Sequence, residues 1–189
     1  MYISELLNSL EMTDKISIFG FKALLRQYEF KLFFKGAIMP ALFCILILVP
    51  IFILTNTSLI ELIELIVDLI NSIIPSLLGF VLGGYAVLIG FSNVSIIAVK
   101  IDKKITLYQK ISTVFSMSLI MQIFLLIFSF IVKIILKADI SINFIFANIL
   151  NIICIIFLVF GLFYIILMIK DLVINIFNLS QYQNFKINK

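Results

Sequence analysis

The chain contains no histidine, so the commonest general base and metal ligand is absent. No nucleophile stands beside a base, no cluster has metal-ligand spacing, and no glycine-rich loop cradles a phosphate. The groups that could do chemistry are charged or neutral polar, and their chemistry is electrostatic. Glu61, Glu64 and Asp68 fall on one helical face at spacings of three and four. On the outer side of a membrane they would form a negative vestibule that concentrates cations. Lys100, Lys103, Lys104 and Lys110 crowd one short connection, with Tyr108 among them. Lysines beside an aromatic ring suit a polyanion such as an oligonucleotide, with phosphates on the ammonium groups and a base on the ring. The same lysines also suit a plainer task, setting topology and touching anionic lipid. The chain reads as a non-enzyme with no metal and no cofactor.

One stretch positions both charged groups. Residues 77–99 run for 23 residues without a charge; as a helix they reach about 34 Å, enough to cross a bilayer with some tilt. They also hold the densest set of small residues. Ser76, Gly83 and Gly90 are seven apart, and Gly79, Ala86 and Asn93 are seven apart three residues later. That is a heptad seam written in small residues, which lets helix backbones approach closely. Two partners fit it. One is another helix of the same bundle. The other is the same helix in identical copies around an axis, with Gly79, Gly83, Ala86 and Gly90 packing the oligomer. Ser76, Gly83, Gly90, Ser92 and Asn93 would then border a pore.

Composition sets the class. The chain is 189 residues, 63% hydrophobic and 13% charged, with mean hydropathy +1.27. A soluble domain of this size cannot hide so much apolar surface. The expectation is an all-α integral membrane protein with four transmembrane helices plus amphipathic interfacial helices. Cys44 and Cys154 lie in apolar runs and read as small buried hydrophobes.

Residues 1–35 alternate apolar and charged faces and read as a cytoplasmic amphipathic segment. They lack the basic start of a signal peptide. Residues 36–169 form the transmembrane domain. Its spans are 36–54, 77–99, 111–132 and 142–169. Pro50 should kink or end the first span. Residues 59–72 read as a separate short interfacial or re-entrant helix, which Pro75 divides from the central span, because three acids at membrane depth are costly. Ser118, Gln122 and Ser129 share one face of the third span, with Lys133 near its end. Their plain role is hydrogen bonding between helices; lining a watery path is the alternative. Residues 170–189 form a polar cytoplasmic tail. With the N-terminus inside, 12 of the 14 Lys and Arg residues lie on the cytoplasmic side. That bias needs an even number of spans and places both termini in the cytoplasm.

The run LLGFVLGGYAVLIGFSN, residues 77–93, together with the four-span layout and basic cytoplasmic segments, resembles small bacterial membrane effectors of anti-phage defence. The membrane channel subunit of the Hailong system is the match it suggests. The resemblance implies a homo-oligomeric, tetrameric ion channel in the bacterial inner membrane. It further implies a gate held shut by a DNA oligomer made by a partner nucleotidyltransferase. From the residues alone a second function stays open, a non-conducting anchor, assembly or regulatory subunit that binds another membrane protein.

Overall fold

A computed structural model describes residues 21, 24–25, 28, 30–54, 58–90, 106–138 and 144–187. Among them the chain is all-α. Four helices follow in order: α1 (Phe30–Leu54), α2 (Leu59–Gly90), α3 (Leu107–Lys137) and α4 (Phe144–Ile187). Helices α2, α3 and α4 are each long and apolar enough to cross a membrane; in α1 the apolar stretch is the shorter Gly36–Leu48. The protein is an all-α membrane protein.

Local chemistry sets the helix starts. Thr106 caps α3: the Gln109 amide donates to its Oγ1 at 3.2 Å, and the Gln109 Oε1 accepts from the Thr106 amide at 3.0 Å. This reciprocal pair satisfies two of the amides that a helix start leaves without a partner. Ser58 and Glu61 make the same pair at the start of α2, at 3.3 and 3.4 Å. At the other end of α3 the Ala138 amide donates back to Ile134 and Ile135 carbonyls, both at 3.1 Å.

Helix α4 packs on all three others, and α2 also packs on α3. The main core joins Ile63, Val67, Ile70 and Ile74 of α2 to Leu125 and Val132 of α3 and to Ile155 and Leu158 of α4. Further along, Val81, Leu88, Ile111, Phe115 and Leu172 continue it. Two close approaches shape this packing. A Cβ on Gly161 would lie 2.8 Å from Leu125 Cδ1, and one on Gly84 would lie 3.1 Å from Phe115 Cε1. The outer surface is apolar on every helix, with Leu46, Ile134 and Ile145 each 69% exposed. Water would not tolerate that surface, and lipid does.

Three boundaries differ from the sequence expectation. Pro75 does not divide the acidic helix from the central span, because α2 runs unbroken from Leu59 to Gly90. Pro75 removes one backbone bond, to the Asn71 carbonyl, and membrane helices absorb such a loss through their neighbours. At 32 residues α2 is about 48 Å long against a hydrocarbon core of about 30 Å, so the acids need no helix of their own to stay shallow. Helix α1 ends at Leu54 as expected but begins at Phe30, ahead of the expected start at 36, and it stays helical through Pro40 and Pro50. Finally, α4 does not stop at Ile169. It continues as helix to Ile187, so the tail is helical over most of its length. The segment before Phe30 is described only at Phe21, Leu24, Leu25 and Tyr28, and the amphipathic reading of residues 1–20 lies outside the described residues.

Candidate functional site

Helix α2 has two unlike faces. Ile63, Val67, Ile70, Ile74, Val81 and Leu88 repeat at four, three and seven and are buried. This is the seam that meets the rest of the chain. The small residues keep the same period of seven on the opposite face. At 100° per residue, Ser76, Gly79, Gly83, Ala86 and Gly90 lie about half a turn away from the buried seam. All five are exposed. A Cβ built on Gly79, Gly83 or Gly90 meets nothing within 4 Å. The intrachain partner that the sequence allowed for this face is therefore absent among the described residues. Gly84 alone of the α2 glycines meets a side-chain neighbour, Phe115. Large exposed side chains flank the small face, Phe80 and Val87 on one side and Leu82 and Ile89 on the other. The result is a shallow groove along the outer face. Ser92 and Asn93, expected at its end, lie outside the described residues.

The acids extend the same face. Spacings of seven, eleven and seven bring Glu61, Asp68, Gly79 and Ala86 within about 20° of arc on α2. Glu61, Glu64 and Asp68 are all exposed. They are not a purely negative group, however. Lys133 Nζ donates to Asp68 Oδ1 at 2.8 Å, and Glu64, Asp68, Lys133 and Lys137 line one recess. Glu61 spends part of its carboxylate on the cap at Ser58.

A row of buried polar side chains runs between α2 and α3. Ser118, Gln122 and Ser129 are each 0% exposed. Gln122 Nε2 donates to Ser118 Oγ at 3.1 Å, and Ser129 Oγ contacts Asn71 Oδ1 at 2.7 Å and the Leu126 carbonyl at 2.8 Å. Asn71 Nδ2 and Gln122 Oε1 are buried with no partner among the described residues. Asn71 is the member that the sequence reading missed. Its signal was the lone asparagine on the apolar side of an otherwise acidic-and-aliphatic helix.

The lysine group divides. Lys100, Lys103 and Lys104 lie outside the described residues. Tyr108 and Lys110 stand in the first turn of α3 and face different ways. Tyr108 is half-buried and packs on the cluster of Val81, Leu88, Ile111, Phe115 and Leu172. Lys110 is exposed and lines a cleft with Tyr28, Tyr164 and Asp171. The Tyr28 and Tyr164 hydroxyls are 2.9 Å apart. Burial pushes the Tyr28 phenol above its ordinary pKa; the bond to Tyr164 opposes this and the Asp171 charge adds to it. Both cysteines are free, Cys44 buried and Cys154 half-buried. Among the described residues no group of acids and cysteines is placed to hold a metal. No family model matches the chain, and neither a curated protein nor a solved structure matches it significantly.

Proposed function

We propose that copies of this chain assemble in the membrane through the small-residue groove of α2, and that the assembly is an ion channel. The observation that carries the reading is the empty space beyond Gly79, Gly83 and Gly90. A helix groove with flanking ridges suits a second helix at short distance. Four spans with both termini in the cytoplasm agree with the distribution of Lys and Arg and put the acids outside. Since Glu61 and Asp68 share the outer face of α2 with the small residues, an opening between copies would have carboxylates at its external mouth. That arrangement favours cations. Control would come from the cytoplasmic side through an anionic ligand on Lys110 and the lysines at 100, 103 and 104. A DNA oligomer made by a partner nucleotidyltransferase, as in anti-phage effectors, is the candidate that the sequence resemblance supplies.

One observation favours a second reading. Ser76 is the lone polar side chain of the groove between residues 76 and 90, so the contact is dry. A dry contact serves a non-conducting subunit equally well. The test separates the two. A single cysteine at Ser76, exposed on the same face, in a chain with Cys44 and Cys154 changed to Ala, should crosslink copies in native membranes, and the reconstituted protein should carry cation current. Crosslinking without current at any voltage or ligand condition selects the non-conducting subunit. A monomer with no crosslink overturns the channel built between copies and leaves the groove to another membrane protein.

A further inference from the structure

At the end of the molecule that bears Lys110, a cleft of about 490 Å³ lies between the start of α3, the second half of α4, and Tyr28 and Gly36. That volume is in the range of sites that hold small ligands. Its rim carries both signs of charge, Lys110 from α3 and Asp171 from α4, with Asn175 one turn beyond. Toward the middle of the helices the lining turns apolar: Val114 lies one turn below Lys110, and Leu167 and Met168 one turn below Asp171. The paired hydroxyls of Tyr28 and Tyr164 also line the cleft, with Tyr164 one turn beyond Leu167 and Met168 as counted from Asp171. Among the described residues Asp171 forms one ion pair, with Lys170 at 3.9 Å, and those side chains are 64% and 65% exposed. A pair so long and so wet leaves the carboxylate open to another cation.

The two charges and the apolar wall select the occupant. An anion alone gains Lys110 and meets Asp171; a cation alone meets the reverse. A zwitterion satisfies both, and the apolar wall accepts a tail only if the ligand has one. We propose that this cleft holds the headgroup of a zwitterionic aminophospholipid, with its phosphate on Lys110, its ammonium on Asp171, and one acyl chain along Val114 and Met168. The site stands whether or not copies assemble through α2.

The test is native mass spectrometry of the detergent-purified full chain, given equal amounts of phosphatidylethanolamine and phosphatidylglycerol. The wild type should retain the ethanolamine lipid in preference. Exposed charge pairs contribute little, so Asp171→Asn should lower the ethanolamine-to-glycerol ratio by about three- to fivefold. Lys110→Gln should weaken retention of both lipids, and Lys137→Gln, at the far end of α3, should leave both unchanged. Soluble phosphoethanolamine should not displace the lipid; if it displaces it fully, the ligand is a soluble zwitterion and the lipid assignment fails. Equal retention of the two lipids by the wild type overturns the proposal, as does an unchanged ratio in Asp171→Asn. Should a variant misfold, photo-crosslinking of the wild type with a diazirine phosphatidylethanolamine decides. Label on peptides from the start of α3 and the second half of α4 supports the site, and label elsewhere refutes it.

Discussion

Gly83 and Gly84 are neighbours in sequence and opposites in space, so the same substitution at each should do different things. At Gly83 a Cβ meets nothing within 4 Å. Gly83→Leu therefore adds no strain to the protomer, and it replaces the poorest non-proline helix former with a good one, a gain of about 0.5–1 kcal/mol. At Gly84 the first added carbon already lies 3.1 Å from Phe115 Cε1 and 3.5 Å from Ile176 Cδ1. Phe115 is 1% exposed, so its ring has to shift within a packed interior to admit the new side chain. Three further carbons put Gly84→Leu at the upper end of the overpacking range, about 3 kcal/mol, which propensity offsets only in part. The net expectation is a loss of about 2 kcal/mol, some thirtyfold in the folding constant. Unfolding in sodium dodecyl sulfate, followed by circular dichroism, reads the protomer; crosslinking and mass photometry read the assembly. Gly83→Leu should leave the protomer as stable as wild type or more so while reducing the oligomer. Gly84→Leu should destabilise the protomer. If Gly83→Leu unfolds as easily as Gly84→Leu, the two faces of α2 have been assigned the wrong way round. If it assembles like wild type, the groove is not the contact.

Two other sites give sharp expectations. Ser129→Ala removes the contact to Asn71 and should destabilise the protomer by about 0.6–1.7 kcal/mol, the range for hydrogen bonds between membrane helices. Adding Asn71→Leu should recover most of that loss, because removing both partners leaves no buried polar group stranded; the same detergent titration measures both. Gly161→Ala places a methyl 2.8 Å from Leu125 Cδ1 and should destabilise the α3–α4 contact, with Leu125→Ala in the same chain restoring it partly by vacating the space. A Gly161→Ala variant as stable as wild type would mean that the end of the Leu125 side chain turns aside without cost.

What the sequence made legible, and what it hid, follows from lipid as the solvent. The row Ser118, Gln122 and Ser129 was visible because polar groups on an apolar helix need partners, and those groups are at 0% exposure against neighbouring helices. The period of seven in α2 was visible too. Its direction was not. In water, an apolar stripe on a polar helix names the buried face. In the uncharged stretch 74–90 of α2, Ile74–Val81–Leu88 and Ser76–Gly83–Gly90 carry the same period, and in lipid hydrophobicity does not say which line is buried. Pro75 misled for a related reason: the rule that proline ends helices is calibrated where a freed carbonyl can turn to water. Here a single lost bond is cheaper than exposing a whole turn of backbone to hydrocarbon. The charge group at residues 100–110 read as a single patch, yet the helix start at Leu107 turns Tyr108 inward and Lys110 outward.

The glycines then turn this ambiguity into an argument about what α2 is for. Each glycine inside a helix costs roughly 0.8–1 kcal/mol relative to alanine. Gly84 has its return within the chain, since its missing side chain admits the ring of Phe115. Gly79 and Gly83 have none; with open space beyond them, alanine would serve the isolated protomer better by about 2 kcal/mol for the pair. A lipid-facing surface gains nothing from such residues, because acyl chains adapt to any side chain. A helix that approaches within van der Waals reach of another backbone does gain, and both residues sit on one line with Ser76, Ala86 and Gly90, between ridges of Phe80 and Val87 on one side and Leu82 and Ile89 on the other. Gly79→Ala and Gly83→Ala therefore separate two demands on one sequence. The protomer should become more resistant to denaturation, while the assembly formed through α2 should weaken in the same preparation. A more resistant protomer with an unchanged assembly, measured by detergent unfolding and by mass photometry, would show that the groove is merely lipid-facing.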